Sequence, residues 1–447
     1  MGTLAPTLEC LIMNLLFSND KRGQFPNSWY ASTANHHKRY KTLKERLEAD
    51  VCIIGAGFTG LSSAIHLAEA GLNVVLLDAH RPGWGASGRN GGQVSSGQRV
   101  SQLSLEKDYG DIMAKKLWQI SQDAKDLVTN LILKYKIKCD LKPGIIHACL
   151  NDWEVKEEHK DVEHLQNTYG HKNISSLDKT EIQNIIGSKK YLGGSIDWSS
   201  AHLHPLNYAL GLADAANEKG VKIYEHSLVE KIEHGKKTVV KTEHGLVTAT
   251  HTILACNGYL GNLNRVVNKK VMPINNFIGS TEVLDTEIRS NILNKDVAVA
   301  DSKFVVNYFR MSSDNRLLFG GGETYAYKFP NNLDEIVRKP MLNIFPQLKN
   351  INFDYSWGGT LAITMKRMPF LTKLNHNTYN ASGYSGSGVA MATMAGKIIS
   401  EEILSDHDRF DVMSAVKTPN FPGGSNLRSP LLALAMSWYK IRDDLGF

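Results

Sequence analysis

Apolar residues follow two rhythms along this chain. Val51 to Ile54 is a short continuous apolar run, the pattern of a strand buried on both faces. Leu61 to Ala70 has helical character, with Ile65, Leu67 and Ala68 free to pack, and Gly71 ends it. Asn73 to Leu77 is a second apolar run, closed by Asp78. The polar, irregular stretch over 18–48 reads as a surface arm leading into this strand–helix–strand unit.

The helical rhythm returns over 101–139, where Leu117, Ile120, Ala124, Leu127, Val128 and Leu131 share a face. Lys142-Pro143-Gly144 predicts a turn and Ile145 to Leu150 a strand. Residues 152–187 read as a charged helical stretch, with His159, His164 and His171 as solvated side chains. Pro205 suits the first turn of a helix that continues from Leu206 to Lys219, and Gly220 to Tyr224 then gives a strand. Val229 to Ile232, Thr238 to Thr242 and Leu246 to Ala249 alternate as antiparallel strands do, and Thr252 to Gly258 is a short apolar strand. Further strands are predicted over 276–284, 297–300, 303–310 and 316–320, with a hairpin turn at Ser312 to Asn315. Helices are predicted over 332–345, Ala390 to Leu404 and Leu427 to Leu445.

Three glycine clusters give these elements a chemistry. Gly55 permits the tight turn out of the first strand, Gly57 lets a pyrophosphate approach the backbone, and Gly60 lets the helix pack close. The helix entrance offers N–H groups and the positive dipole end to phosphates, and Asp78 is positioned to accept ribose hydroxyls. The loop Gly83 to Gly92, with Ser87, Arg89, Asn90 and Gly91, exceeds what a simple NAD domain needs and suits a flavin ring. Gly383 to Val389 is the third cluster, directly before a helix. Two glycine–helix units far apart in one chain argue for a long cofactor gripped at both ends, FAD more readily than NAD.

At 447 residues the chain is too long for one core. The element order predicts an α/β fold: a Rossmann-type, glutathione-reductase-like FAD-binding domain with an α+β substrate domain on an antiparallel sheet. The expected division is an arm over 1–48, FAD-binding parts over 49–150, 196–262 and 357–405, substrate parts over 151–195 and 263–356, and a connector with a final helix over 406–447. A net charge of +6 with interleaved signs, and no basic stripe, gives no reason to expect a nucleic-acid partner. Five cysteines without CxxC spacing fit a reduced, cytoplasmic setting, and no metal site is expected. No run is long enough to span a bilayer, and the apolar residues over 8–17 lack the flanks of a signal peptide; Met13 is a candidate start.

The chain resembles the FAD-dependent D-amino-acid oxidase/glycine oxidase superfamily from about residue 28 onward. The resemblance rests on Trp29 to Asn35, Asp50 to Ala64, Gly83 to Gln93, His202 to Leu212, Arg316 to Gly321, Trp357-Gly358-Gly359 with Thr364, Arg367 and Pro369, Gly383 to Val389, and Trp438 to Asp443. It implies FAD on Gly55, Gly57, Thr59, Gly60, Asp78, Ser87, Arg89, Asn90, Gly91, Val229, Gly258, Gly386, Gly388 and Val389. It implies a substrate wall including His204, Trp357, Leu361 and Arg367, and hydride transfer to flavin N5 without an identified side-chain base. Nearest within the superfamily are amine oxidases of polyamine catabolism, which implies γ-glutamylputrescine as substrate. Oxidation would give an imine, then aldehyde and ammonia, with H2O2 if O2 is the electron acceptor rather than another oxidant. Another amine or N-substituted amino acid, or flavin binding with little turnover, stay open as alternatives. Two departures stand out: Ser387 replaces the family's usual His, and Ala362 with Met365-Lys366 replaces an acidic residue and Pro-Asn. The amino-acid oxidases carry a carboxylate-binding Arg where this chain has Leu361, so a free α-amino acid is not the expected substrate.

Overall fold

The computed structural model describes residues 15–35, 38–324 and 326–422. Residues 8–14, including Met13, and the helix expected over Leu427 to Leu445 lie outside the described residues.

The nucleotide-binding sheet is built from β1 (Arg46–Ile54), α1 (Phe58–Glu69), β2 (Val74–Leu77), α2 (Pro205–Glu218), β3 (Lys222–Tyr224), β4 (Leu246–Leu254), β5 (Thr378–Ser382) and α3 (Gly388–Ile403). The strands lie in the order β3-β2-β1-β4-β5, all parallel, with Ile53 at the centre opposite Leu76 and Ile253. This is the doubly wound order, in which β1 sits centrally and is covered on both faces. That explains why Val51 to Ile54 and all of β2 are buried and read as unbroken apolar runs. Strand Phe370–Asn375 closes the edge antiparallel to β5, and strands Val229–Glu233 and Thr238–Thr242 form a meander on β4.

The second sheet runs Phe353–Ile363, Met272–Thr281, Leu317–Thr324, Tyr308–Met311, Ala298–Asp301, Lys142–Cys149, Gly193–His202 and Gln93–Val94. Its pairs are antiparallel except Ala298–Asp301 with Lys142–Cys149, so the sheet is mixed, not purely antiparallel. Helix Leu333–Ile344 covers it with an apolar core of its own, around Phe277, Phe309, Phe319, Val337 and Met341.

Four expectations need correction. Residues 142–150 and 196–202 belong to the second sheet, and Phe353–Ile363 is one strand of that sheet running across residue 357. The cause is register: Lys142–Cys149 pairs with Gly193–His202 along its length, a partnership local periodicity does not encode. The helix over 101–139 breaks at Gly110 (φ +79°) into Gln102–Tyr109 and Asp111–Lys134. The stretch 152–187 holds two helices around strand Ile174–Leu177; each helix starts on a capping box, Asn151 with Glu154 and Asp178 with Glu181. His171 is buried rather than solvated, with Nε2 3.2 Å from Asp197. Among the described residues no helix is long and apolar enough to cross a membrane.

Candidate active site

The chain turns from β1 into α1 at Gly55, where φ is +107°. A Cβ there would stand 2.7 Å from the Ala255 carbonyl, and one on Gly60 would stand 1.9 Å from the Gly55 carbonyl. Only bare backbone fits at these two positions. Ser87 Oγ reaches in from the second glycine loop and accepts the Phe58 N–H at 3.0 Å. Thr59 and Gly60, in the same first turn, have no carbonyl four residues back inside the helix to accept their N–H groups.

Asp78 ends β2 with its carboxylate accepting from Ala56 N (2.8 Å) and His80 N (2.7 Å). Burial pushes this carboxyl up to about 6, and the donated hydrogen bonds oppose the rise. The third glycine cluster arrives through β5: Gly386 takes φ +101°, and Ser387 precedes α3. The two helix entrances are tied by a 2.6 Å hydrogen bond between Thr59 Oγ1 and the Tyr384 hydroxyl. Deeper in, α1 and α3 pack so closely that a Cβ on Gly396 would lie 2.4 Å from the Thr59 carbonyl, and Ser63 Oγ donates to the Gly396 carbonyl.

A cavity of about 460 Å³ opens at the C-terminal ends of the parallel strands and extends to the second sheet. Gly55, Gly57, Thr59, Asp78, Ser87, Asn90, Gly91, Val229, Gly386, Gly388, Val389, Leu361 and Arg367 line it. Gly60, Arg89 and Gly258 stand behind its wall. Arg89 is buried because its guanidinium holds the Trp84 and Gly358 carbonyls and Asp20, so it shapes the second loop from outside. His204 and Trp357, expected on the substrate wall, do not reach the cavity. His204 caps α2 by accepting the Asn207 N–H at Nδ1 and pairs at Nε2 with Thr33 Oγ1. Burial, with Arg310 nearby, lowers its pKa to about 3, so it is a neutral structural imidazole. Trp357 donates to the Arg89 carbonyl and packs on Tyr30. Of the departures, Ala362 and Ser387 line the cavity, while Met365 is exposed and Lys366 pairs with Asp108 at the surface.

Sequence reasoning missed the wall contributed by the second sheet. Asn276, Tyr308, Glu323, Phe304 and Arg99 all line the cavity, and the Tyr308 hydroxyl donates to Asn276 Oδ1 at 2.5 Å. Tyr308 and Asn276 sit on strands far apart in sequence, and neither belongs to a local motif. His147 also borders the cavity, with Glu158 and Cys149 within ligand reach of it. The Glu158 oxygens are taken by His147 Nδ1 (2.8 Å) and Ser195 Oγ (2.5 Å), a satisfied hydrogen-bonded pair. Burial opposes the charge on His147, but Glu158 outweighs it and holds the imidazole well above its usual range.

The cavity suits a long dinucleotide: two helix entrances, the Asp78 carboxylate and bare glycine backbone share one continuous space. The family described as FAD dependent oxidoreductase matches residues 50–402. Gamma-glutamylputrescine oxidoreductase of Escherichia coli (strain K12) is 39% identical over 421 residues, covering 94% of this chain and 99% of that protein. Glycine oxidase from Geobacillus kaustophilus superposes with a TM-score of 0.67 at 19% identity, covering 80% of this chain and 95% of that one. L-proline dehydrogenase from P. horikoshii does so with a TM-score of 0.67 at 20% identity, over 81% and 96%. With the glycine-gripped cavity and the match over most of its length, this chain belongs to the FAD dependent oxidoreductase family.

Proposed function

We propose that the protein oxidises the primary amine of γ-glutamylputrescine in the cytoplasm, with FAD as its resident cofactor. The carrying observation is the similarity to an enzyme of that name along nearly the full length of both chains. Leu361 supports it: this apolar side chain lines the cavity from strand Phe353–Ile363, so no guanidinium stands there for an α-carboxylate beside the reacting carbon. The described cysteines, Cys52, Cys139, Cys149 and Cys256, are free thiols, in keeping with a reduced compartment.

In this reading Thr59, Gly57 and the α1 entrance hold the pyrophosphate, Asp78 the ribose, and Val229 the adenosine end. Ser87, Asn90 and Gly91 hold the ring from one side, while Gly386, Gly388 and Val389 present the α3 entrance to its far edge. Bound FAD supplies a two-electron acceptor for the hydride leaving the carbon next to nitrogen; the imine product is hydrolysed to aldehyde and ammonia, and O2 or another oxidant takes the electrons. The chain's own part is to bind the amine neutral, orient its carbon and exclude water, which the apolar Leu361 and Ile363, on one face of their strand, serve. No side chain is assigned as a proton acceptor.

A peroxide assay over a panel of γ-glutamylputrescine, putrescine, glycine and D-alanine tests this, alongside anaerobic mixing. Turnover with the first, or bleaching of the flavin band by it without oxygen, is the expected result. A yellow protein that none of these amines bleaches overturns it.

A further inference from the structure

The cavity carries a charge pattern that the reaction itself does not use. Arg99 and Arg367 both line it, and among the described residues neither has a carboxylate within ion-pair distance. Arg89 shows the contrast: its guanidinium is buried against Asp20. Arg367 stacks over Phe304, with its guanidinium carbon 5.5 Å from the ring centroid, and is held at φ +59°. Arg99 passes beside Gly386, its Nε 3.9 Å from where a Cβ would be, and stays open to the water of the cavity. Glu323, also on the cavity wall, is the carboxylate whose charge reaches Arg99. The two guanidiniums outnumber the Glu323 carboxylate, so this part of the wall carries an excess of positive charge that a substrate carboxylate can meet. Lys303, also on the wall, adds to the same sign, and Asp301 is turned inward onto Asn307.

We infer that Arg99 and Arg367 bind a carboxylate at the end of the substrate remote from the oxidised nitrogen, and so restrict the enzyme to amines that carry one. The inference rests on the amine-oxidase reading and names its specificity determinant. A free diamine brings a second ammonium to this positive end and is repelled, whereas γ-glutamylation turns that ammonium into a neutral amide and brings a carboxylate, with an α-ammonium beside it, that the guanidiniums can engage. Planar guanidiniums suit the task because they meet a carboxylate with paired N–H donors and stay charged when desolvated.

Three conjugates separate the possibilities: γ-glutamylputrescine, glutaryl-putrescine, which lacks the α-ammonium, and 4-aminobutyryl-putrescine, which lacks the carboxylate. In the FAD-loaded wild type, the first two are preferred over the third. Arg99→Met and Arg367→Met each raise KM for the first two by about 10- to 100-fold, as expected for a lost charged hydrogen bond, and by less than about threefold for the third. kcat changes little in either variant, since the contact is made equally in ground and transition states. Binding of γ-glutamylpropylamide, which has the carboxylate but lacks the terminal amine, is followed by the flavin visible spectrum and falls by the same factor. Lys at either position gives an intermediate loss and covers the case of a variant that misfolds. Equal losses on all three conjugates, or loss of FAD retention with unchanged preference, would assign the guanidiniums to the cofactor or the fold and overturn the inference. If wild type turns over none of the conjugates, the function reading fails, yet the γ-glutamylpropylamide titration still decides the carboxylate site.

Discussion

Burial raises the Asp78 carboxyl from 3.8 to about 6, although the Ala56 and His80 N–H groups donate to it. As pH rises the unfolded chain therefore releases this proton first. The cofactor-free protein should lose stability between about pH 4 and 6, by up to roughly 3 kcal/mol in the limit, and no further above that. Ribose hydroxyls donating to the carboxylate favour its charged form. FAD affinity is thus expected to climb with pH up to about 6 and then level, with proton release on binding below that point. Calorimetry in buffers of different ionisation heat measures the released proton. Asp78→Asn removes the titration and should weaken FAD binding by about tenfold or more, because a neutral amide cannot serve as acceptor to every donor now around it. A pH-independent affinity in the wild type would remove Asp78 from the ribose site.

The two glycine–helix units act as one clamp because α1 and α3 touch. Their contact leaves no room for a side chain at Gly396: a Cβ would lie 2.4 Å from the Thr59 carbonyl and 2.8 Å from the Ser63 nitrogen. Alanine there gains helix propensity of about 1 kcal/mol but must push two backbones apart, and overpacking of this kind costs about 1–3 kcal/mol or more. Gly396→Ala should therefore lower the urea midpoint and loosen FAD together, since Thr59 sits in the turn proposed to hold the pyrophosphate. Gly388→Ala is the internal comparison. Its Cβ would find nothing nearer than the Tyr384 Cβ at 3.9 Å, so the cofactor-free protein should keep its midpoint. If Gly396→Ala unfolds no earlier than Gly388→Ala, the close helix contact is not what holds the clamp.

Across the full fold, the cavity lies between a parallel sheet, proposed to hold the cofactor, and a mixed sheet, proposed to wall the substrate. Both apolar cores are separate, so a cofactor spanning the cavity adds stability by mass action: about 2.7 kcal/mol at a hundredfold excess over its dissociation constant. The chemistry sets a second dependence. An alkylammonium resembles a lysine side chain, with a pKa near 10, and only its neutral form has the lone pair that assists hydride departure. kcat/KM for the amine should therefore rise about tenfold per pH unit across the neutral range and level toward pH 10. A flat profile between pH 7 and 9 would mean that the cavity itself takes the proton, and would require a base not identified among its walls.

The strand–turn–helix–strand unit could be read from the sequence because it is local. Gly55, Gly57, Gly60 and Asp78 lie within it, and the tight turn and close helix packing that the structure shows there follow from backbone sterics at neighbouring residues. The same holds for the capping boxes at Asn151 and Asp178, which mark helix starts within four consecutive residues and would have split the supposed long helix. Leu361 and Arg367, which the resemblance named, do line the cavity, but the rest of that wall was not readable, because Arg99, Asn276, Tyr308 and Glu323 come from separate strands and loops. The path of the chain alone brings them together. His204 and Trp357 illustrate the converse: motif residues in sequence, they turn out to pack against Thr33, Tyr30 and Arg89. Short-range patterns encode what a residue's neighbours in the chain require, whereas which side chains share a cavity depends on strand register and sheet order, which arise only when distant segments pair.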